Sequence, residues 1–248
     1  MLKAGERLEP LGNGVQVIVS KEHHFFTDTI LLAHFSSPKA NEQAVDLGSG
    51  CGTIPLLWCR QHKPKHIVAV EIQSKGADMI NRSIELNSLQ ENVTVLNEDL
   101  NHLKGKIPFG IYDLVVCNPP YKPLGTGIVS NLSAHAVIRH ECSCTVDDVV
   151  KTAASLLRFS GRFCMCLRPE RLADVMCAFR QYKIEPKRLR FVQQRQGKEP
   201  KLFLIEGRAG GKNGGLVTLP TLMIEDDKGG YSQEMMEIYG IYKEKTGE

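Results

Sequence analysis

The sequence predicts an α/β fold, a parallel sheet with helices packed on it. Strand-like and helix-like segments alternate from residue 44 to residue 182, a glycine cluster sits where the first of those strands turns into a helix, and the tail changes to strands joined by glycine- and lysine-rich turns. Alternating strands and helices of this length are βαβ units, whose parallel strands need crossover helices.

Before the alternation begins, Val15–Val19 has β-branched strand character after the turn cluster Gly12-Asn13-Gly14. Thr27 and Asp28 suit the cap of a short helix running through Phe35. The alternation then reads strand 44–47, helix 53–61, strand 67–71, helix 74–89, strand 93–96, strand 112–117, helix 145–157, strand 162–167 and helix 170–182. Thr145 with Asp148 has capping-box spacing. Residues 189–193, 202–206 and 216–224 read as further strands, expected to close one sheet edge antiparallel. From Ser232 onward a short surface helix is expected. Lys122–Ser143 shows no period, and an irregular stretch of that length in a compact domain is commonly functional. The expected organisation is an extension over 1–40, a core domain over 41–225 and a surface tail over 226–248.

With 248 residues, 42% hydrophobic and 24% charged, the chain has the composition of a globular protein. No window approaches 18 uncharged apolar residues, so no membrane span is expected, and no secretory leader is read at the first residues. Eight cysteines in a chain this long are sparse for a disulfide scaffold. They are expected to be reduced, in a cytoplasmic protein. Cys142/Cys144 and Cys164/Cys166 are spaced C-x-C rather than C-x-x-C, and alternation puts Cys164 and Cys166 on one strand face as small hydrophobes; no metal is expected. Net charge is +3, but between Tyr182 and Lys212 nine Lys/Arg face three Asp/Glu. Such a local basic patch is the footprint of a phosphate backbone, as well as an ordinary solvated face.

Four motifs carry chemistry. In Asp46-Leu47-Gly48-Ser49-Gly50-Cys51-Gly52 the glycines permit a tight turn and let a ligand touch the backbone. A dinucleotide fingerprint requires glycine where Thr53 stands, and Asp46 repels pyrophosphate. Asp46 suits a cationic ligand, and S-adenosylmethionine carries an ammonium and a sulfonium. Glu71 ends the next strand, where a carboxylate grips ribose hydroxyls, with Ile72 beside it. After the third strand, Asp99 (or its neighbour Glu98) can accept from an adenine amine while Leu100 packs on the ring. The fourth is Asn118-Pro119-Pro120-Tyr121 at the end of the 112–117 strand. Two prolines remove backbone donors and stiffen the chain, leaving carbonyls and the Asn118 amide to accept from the two N–H groups of a planar amine. Tyr121 next door offers a stacking face.

Together these residues resemble class I S-adenosylmethionine-dependent methyltransferases of the N-P-P-Y, amine-modifying type, over roughly residues 25–210. The chain is most similar to the bacterial tRNA1(Val) adenine-N6 methyltransferase family. Phe26-Thr27-Asp28-x-Ile30-Leu31-Leu32, Ala69–Gln73, Arg139-His140-Glu141 and Arg168–Arg171 are similar to its recurring stretches. The resemblance implies a Rossmann-like fold with a mostly parallel seven-stranded sheet, helices on both faces and an antiparallel edge. It implies S-adenosylmethionine as cofactor, with Asp46, Gly48, Ser49, Gly50, Gly52, Glu71, Ile72, Asp99, Leu100 and Asn118 around it. Catalysis is expected from Asn118, Pro119, Pro120 and Tyr121. Substrate contacts are expected from Tyr121, Lys122, Arg139, His140, Lys187, Arg188 and Arg190. The implied partner is RNA, with tRNA near the anticodon foremost, and no obligate protein partner is expected. The same motif also marks DNA adenine methyltransferases and protein-glutamine methyltransferases. A non-catalytic RNA-binding protein on this scaffold is the remaining alternative, though the glycine loop and Asn118 are intact.

Overall fold

A computed structural model describes residues 2–61, 64–119 and 144–240. The chain opens with an antiparallel hairpin, β1 (Glu6–Gly12) and β2 (Val15–Ser20), turning through Asn13 and Gly14. The first helix, α1, spans Thr27–Ser36. Then follow β3 (Gln43–Leu47), α2 (Thr53–Gln61), β4 (His66–Glu71), α3 (Ser74–Leu86), β5 (Val93–Asn97) and β6 (Tyr112–Cys117). Beyond residue 143 come α4 (Val146–Leu156), β7 (Leu157–Leu167), α5 (Leu172–Gln181), β8 (Ile184–Gln193), β9 (Pro200–Ala209), the two-residue strands β10 (Val217–Thr218) and β11 (Leu222–Met223), and α6 (Gln233–Gly240).

The sheet runs β10-β8-β9-β7-β6-β3-β4-β5, with β11 also on β8. Among the described residues seven long strands, β3 to β9, form its body, as the resemblance implies. β3, β4, β5, β6 and β7 are mutually parallel, and β9 runs antiparallel between β7 and β8. One expectation fails here. The segment 216–224 is interrupted at Leu219-Pro220-Thr221, and its two short strands pair parallel to β8 rather than antiparallel.

Alternation along the strands divides the core in two. Ala44, Ala69, Val116, Cys164 and Cys166 face a layer built from the β1–β2 hairpin, α1, α2 and α3. Val45, Val70, Val115, Phe163 and Met165 face α4 and α5. Cys164 and Cys166 thus share one face and are fully buried, as the period of two requires. Helix α1 buries nearly its whole circumference, because it lies between sheet and neighbouring helices. Its N-cap is Phe26, with no side-chain cap; Thr27 and Asp28 lie inside the helix, correcting their reading as the cap. Helix α4 does carry the reciprocal Thr145–Asp148 capping box.

In the described part of the expected surface tail, one face of α6 packs on the core. Met235 and Ile238 of α6 are buried in the first core, Glu234 pairs with Arg190, and the Tyr239 hydroxyl lies 2.9 Å from that of Thr27. No helix among the described residues is long and apolar enough to cross a membrane.

Candidate active site

The chain lays down β3, β4 and β5 outward in one direction, then returns to place β6 on the other side of β3. At such a switch point the loops leaving the strand ends diverge and open a crevice. A cavity of about 360 Å³ lies there, large enough for a nucleoside-sized ligand. Its wall takes one contribution from the end of each of these four strands: the glycine loop after β3, Glu71 from β4, Asp99 and Leu100 after β5, and Asn118 and Pro119 after β6. Motifs spread over more than 70 residues of sequence therefore meet at one edge.

The glycine loop folds as its composition demands. Gly48, Gly50 and Gly52 all have positive φ, between 59° and 84°, where a Cβ is strained. The N–H groups of Gly48 and Ser49 both donate to the Val70 carbonyl at 2.9 Å, pinning the loop to the end of β4. Gly50 N–H donates to Glu71 Oε2 at 2.7 Å, and Gln73 N–H to Oε1 at 2.8 Å. Each Glu71 oxygen thus spends one lone pair on backbone and retains another. Burial holds its carboxyl above the usual range, offset in part by those backbone donors.

Asp46 is the strongest electrostatic feature. It is 1% exposed, and neither carboxylate oxygen has a hydrogen-bond partner among the described residues. Ser49 Oγ donates to its backbone carbonyl instead. Burial, reinforced by the nearby Glu71 carboxylate, pushes its pKa up to about 7. A buried carboxylate without donors is costly unless a cationic or donor-bearing ligand completes it.

After β5, Asp99 caps a short helical turn by accepting from Asn101 N–H at 2.8 Å, which swings Leu100 to the cavity wall. Thr152 of α4 holds the Leu100 carbonyl from outside. Glu98 also reaches the wall, but its carboxylate is paired with Lys106. Ile72 is 37% exposed on the rim.

Asn118 Nδ2 donates to Thr29 Oγ1 at 3.2 Å, and Asp28 Oδ1 accepts from Thr29 N–H at 2.7 Å. The start of α1 therefore orients the Asn118 amide, turning its nitrogen toward Thr29 and its oxygen the other way. Pro120, Tyr121, Lys122, Arg139, His140 and Cys142 lie outside the described residues.

The basic residues of β8 are not brought to this cavity. Lys187 donates to the carbonyls of Lys212 and Gly214. Arg188 pairs with buried Glu206 at 2.8 Å and lies 4.4 Å over the Phe35 ring. Arg190 makes a bidentate pair with Glu234 and reaches the Pro220 carbonyl. Arg188 and Arg190 line a separate cavity of about 300 Å³ at the C-terminal half of α1. Expected as substrate contacts, these side chains lie away from the cavity: Lys187 ties down the 212–214 loop, Arg188 meets Phe35 of α1, and Arg190 holds the tail.

Three site residues have no signature in the sequence. Thr29 is one and His23 another; its imidazole is buried against the loop, and burial holds its pKa below the usual value. The third is Gly76 in the first turn of α3. A Cβ built there meets the Gly50 carbonyl at 2.7 Å and Glu71 Cγ at 3.0 Å. Helix α3 thus abuts the glycine loop through a position without a side chain. Gly76→Ala is expected to push the loop or the helix aside, costing about 1–3 kcal/mol and weakening cofactor binding. Calorimetric titration of the variant with S-adenosylmethionine checks this; unchanged affinity refutes it.

Comparison with known proteins agrees with this geometry. The profile described as "Methyltransferase small domain" matches residues 16–171. A protein named tRNA1(Val) (adenine(37)-N6)-methyltransferase from Bacteroides thetaiotaomicron is 28% identical over 185 residues, which is 72% of this chain and 74% of that protein. Its namesake from Aliivibrio salmonicida is 25% identical over 136 residues, 55% of this chain. The match spans 56% of the length of that relative. Among solved structures, a predicted O-methyltransferase from Agrobacterium tumefaciens has a TM-score of 0.70 at 18% identity, covering 87% of this chain and 97% of that one. TYW2 from M. jannaschii, solved in complex with AdoMet, has a TM-score of 0.58 at 13% identity, covering 84% and 87%. With more than half its length matched and the Rossmann-like sheet of these neighbours in place, the chain belongs to the methyltransferase small domain family.

Proposed function

We propose that the chain transfers a methyl group from S-adenosylmethionine to the exocyclic N6 amine of an adenine in RNA, with tRNA near the anticodon as the foremost substrate. The observation that carries this reading is the Asn118 amide, oriented by Thr29, beside a cavity whose buried Asp46 carboxylate has no partner among the described residues. The residues fit the cofactor. Asp46 takes a cation, Glu71 has lone pairs for vicinal hydroxyls, Asp99 accepts from an adenine amine, and the positive-φ glycines bring backbone close. When bound, the cofactor supplies an electrophilic methyl on a sulfonium.

The protein's part is alignment. Asn118 Oδ1 and the Pro119 carbonyl accept the two N–H groups of the target amine, drawing its lone pair out of conjugation and aiming it. No strong base is required, because the nitrogen can lose its proton after transfer. An adenine inside a helix cannot reach this edge, so the base must be unstacked or flipped. The names of the two relatives support the adenine-in-tRNA assignment.

Phe26 suits such a base. Its ring is 65% exposed on the cavity rim and is braced edge-on by His24, centroids 4.6 Å apart. Stacking on one aromatic is worth about 1–3 kcal/mol per base. Phe26→Leu is therefore expected to raise KM for RNA by about 5- to 150-fold with a smaller effect on kcat. Steady-state kinetics at saturating cofactor decide; an unchanged KM removes Phe26 from the substrate site.

The substrate itself is tested by offering labelled S-adenosylmethionine with unmodified total tRNA, then separating nucleosides. Label in N6-methyladenosine is expected. Label appearing only in protein or DNA offered in parallel keeps the amine chemistry and overturns the RNA substrate.

A further inference from the structure

The basic stretch from Tyr182 to Lys212 contains two populations. Mid-strand Lys187, Arg188 and Arg190 are engaged internally, as described above. Arg195, Lys198 and Lys201 lie on and beside the turn joining β8 to β9; all three are exposed, and none makes an ion pair with a described residue. Glu199 is the one acidic residue among them, so the tip carries a net charge of +2 (three basic minus one acidic).

Register places this tip on the catalytic edge. Cys117, the last residue of β6, pairs with Met165, Met165 with Ile205, and Ile205 with Leu189. Strand β8 then continues to Gln193 before turning through Gly197, whose φ is +78°. At about 3.3 Å per residue, the tip stands roughly 15 Å beyond the end of β6, on the side where Asn118 lies. Three strand spacings of about 4.8 Å put it roughly 14 Å to one side.

The hairpin is braced at its base. Ile224 N–H donates to the Gln193 carbonyl at 2.9 Å and Glu225 N–H to that of Gln194 at 2.7 Å. The same tail reaches the start of α1 through Tyr239 and Thr27, with Tyr231 stacked on Tyr239 at 5.2 Å. The overhang is thereby tied to the element that orients Asn118.

We propose that the β8–β9 hairpin tip is a phosphate clamp, in which Arg195, Lys198 and Lys201 grip the RNA backbone flanking the target base. This rests on the RNA reading given above. The clamp fixes position and carries no base recognition, since contacts of this kind go to phosphate.

The test uses the full chain and an unmodified tRNA transcript, with Kd measured from about 50 to 200 mM salt. The triple variant Arg195→Ala/Lys198→Ala/Lys201→Ala is expected to lose at least about tenfold in affinity at the low-salt end. The slope of log K against log salt should shrink by about 2–3, because each neutralised phosphate contributes about 0.9. Cofactor affinity and thermal midpoint should stay at wild-type values. Arg188→Met, which takes from buried Glu206 its 2.8 Å partner and leaves it Arg162 at 3.6 Å, should instead lower the midpoint and leave the slope intact. Wild-type binding with an unchanged slope in the triple variant overturns the clamp alone. A wild-type chain without salt-dependent RNA binding, but with methyl transfer to protein, overturns the RNA reading and the clamp with it.

Discussion

Asn118→Ala is expected to bind S-adenosylmethionine with near wild-type affinity and to turn over RNA at least about 100-fold more slowly, the cost of losing one preorganised hydrogen-bonding group. The two effects separate because the proposed cofactor contacts, Asp46, Glu71 and the glycine loop, belong to β3 and β4, whereas Asn118 follows β6. An interaction used only while the amine is being aimed lowers kcat and kcat/KM together. Asn118→Asp keeps an acceptor but cannot donate to Thr29, so it should fall between alanine and wild type. The Thr29→Val variant should lose part of the rate by releasing the amide nitrogen from its 3.2 Å contact. Single-turnover kinetics with saturating cofactor decide, and a wild-type rate in Asn118→Ala removes the amide from the chemistry.

Cofactor binding is expected to weaken as pH falls. In the cofactor-free protein burial lifts the Asp46 pKa to about 7, so the carboxyl is largely neutral at pH 6 and charged at pH 8. A cationic ligand favours the charged form, so below pH 7 a proton must leave before the ligand is held. Kd should therefore rise by up to about tenfold per unit as pH drops below 7 and should flatten above about 8. Asp28 and Glu71 face the same cavity, and burial lowers the pKa of His23 beside them, favouring its neutral form. The raised pKa of Glu71 extends the dependence toward lower pH in the same sense. Asp46→Asn should weaken binding at pH 8 and remove most of the dependence. Titration at pH 6, 7 and 8 with proton release measured in two buffers checks this; a pH-independent Kd in the wild type refutes the assignment.

Those two residues show what was legible in the chain beforehand. Asp46 is the penultimate residue of β3 and Asn118 directly follows β6, and each sits in a motif whose glycines or prolines mark the turn locally. Helix α2 and strand β6 have the bounds expected of them; the glycine loop sets where α2 begins and the Asn118 motif where β6 ends. Strand β1 escaped notice because ERLEPLG has no clean alternation; its pairing with Val15–Ser20 makes it a strand. Thr29, His23 and Gly76 were invisible for a different reason. Each acts through a neighbour brought near by folding: Asn118 is 89 residues from Thr29 in the chain. The basic stretch misled in the opposite direction. Charge counting tallies Arg188, Arg190 and Glu206 but not that the fold sets Glu206 against Arg188, nor that Glu234, from outside the stretch, meets Arg190.

The chain's single tryptophan, Trp58, is fully buried in α2, with its indole N–H donating to the Ala33 carbonyl of α1 at 3.2 Å. A lone indole in that position makes the protein its own optical gauge. Its emission reports whether α1 remains docked on α2, four residues beyond the Thr29 that steers Asn118. Equilibrium denaturation of every variant above can therefore be followed through one native chromophore, with no label introduced near the site.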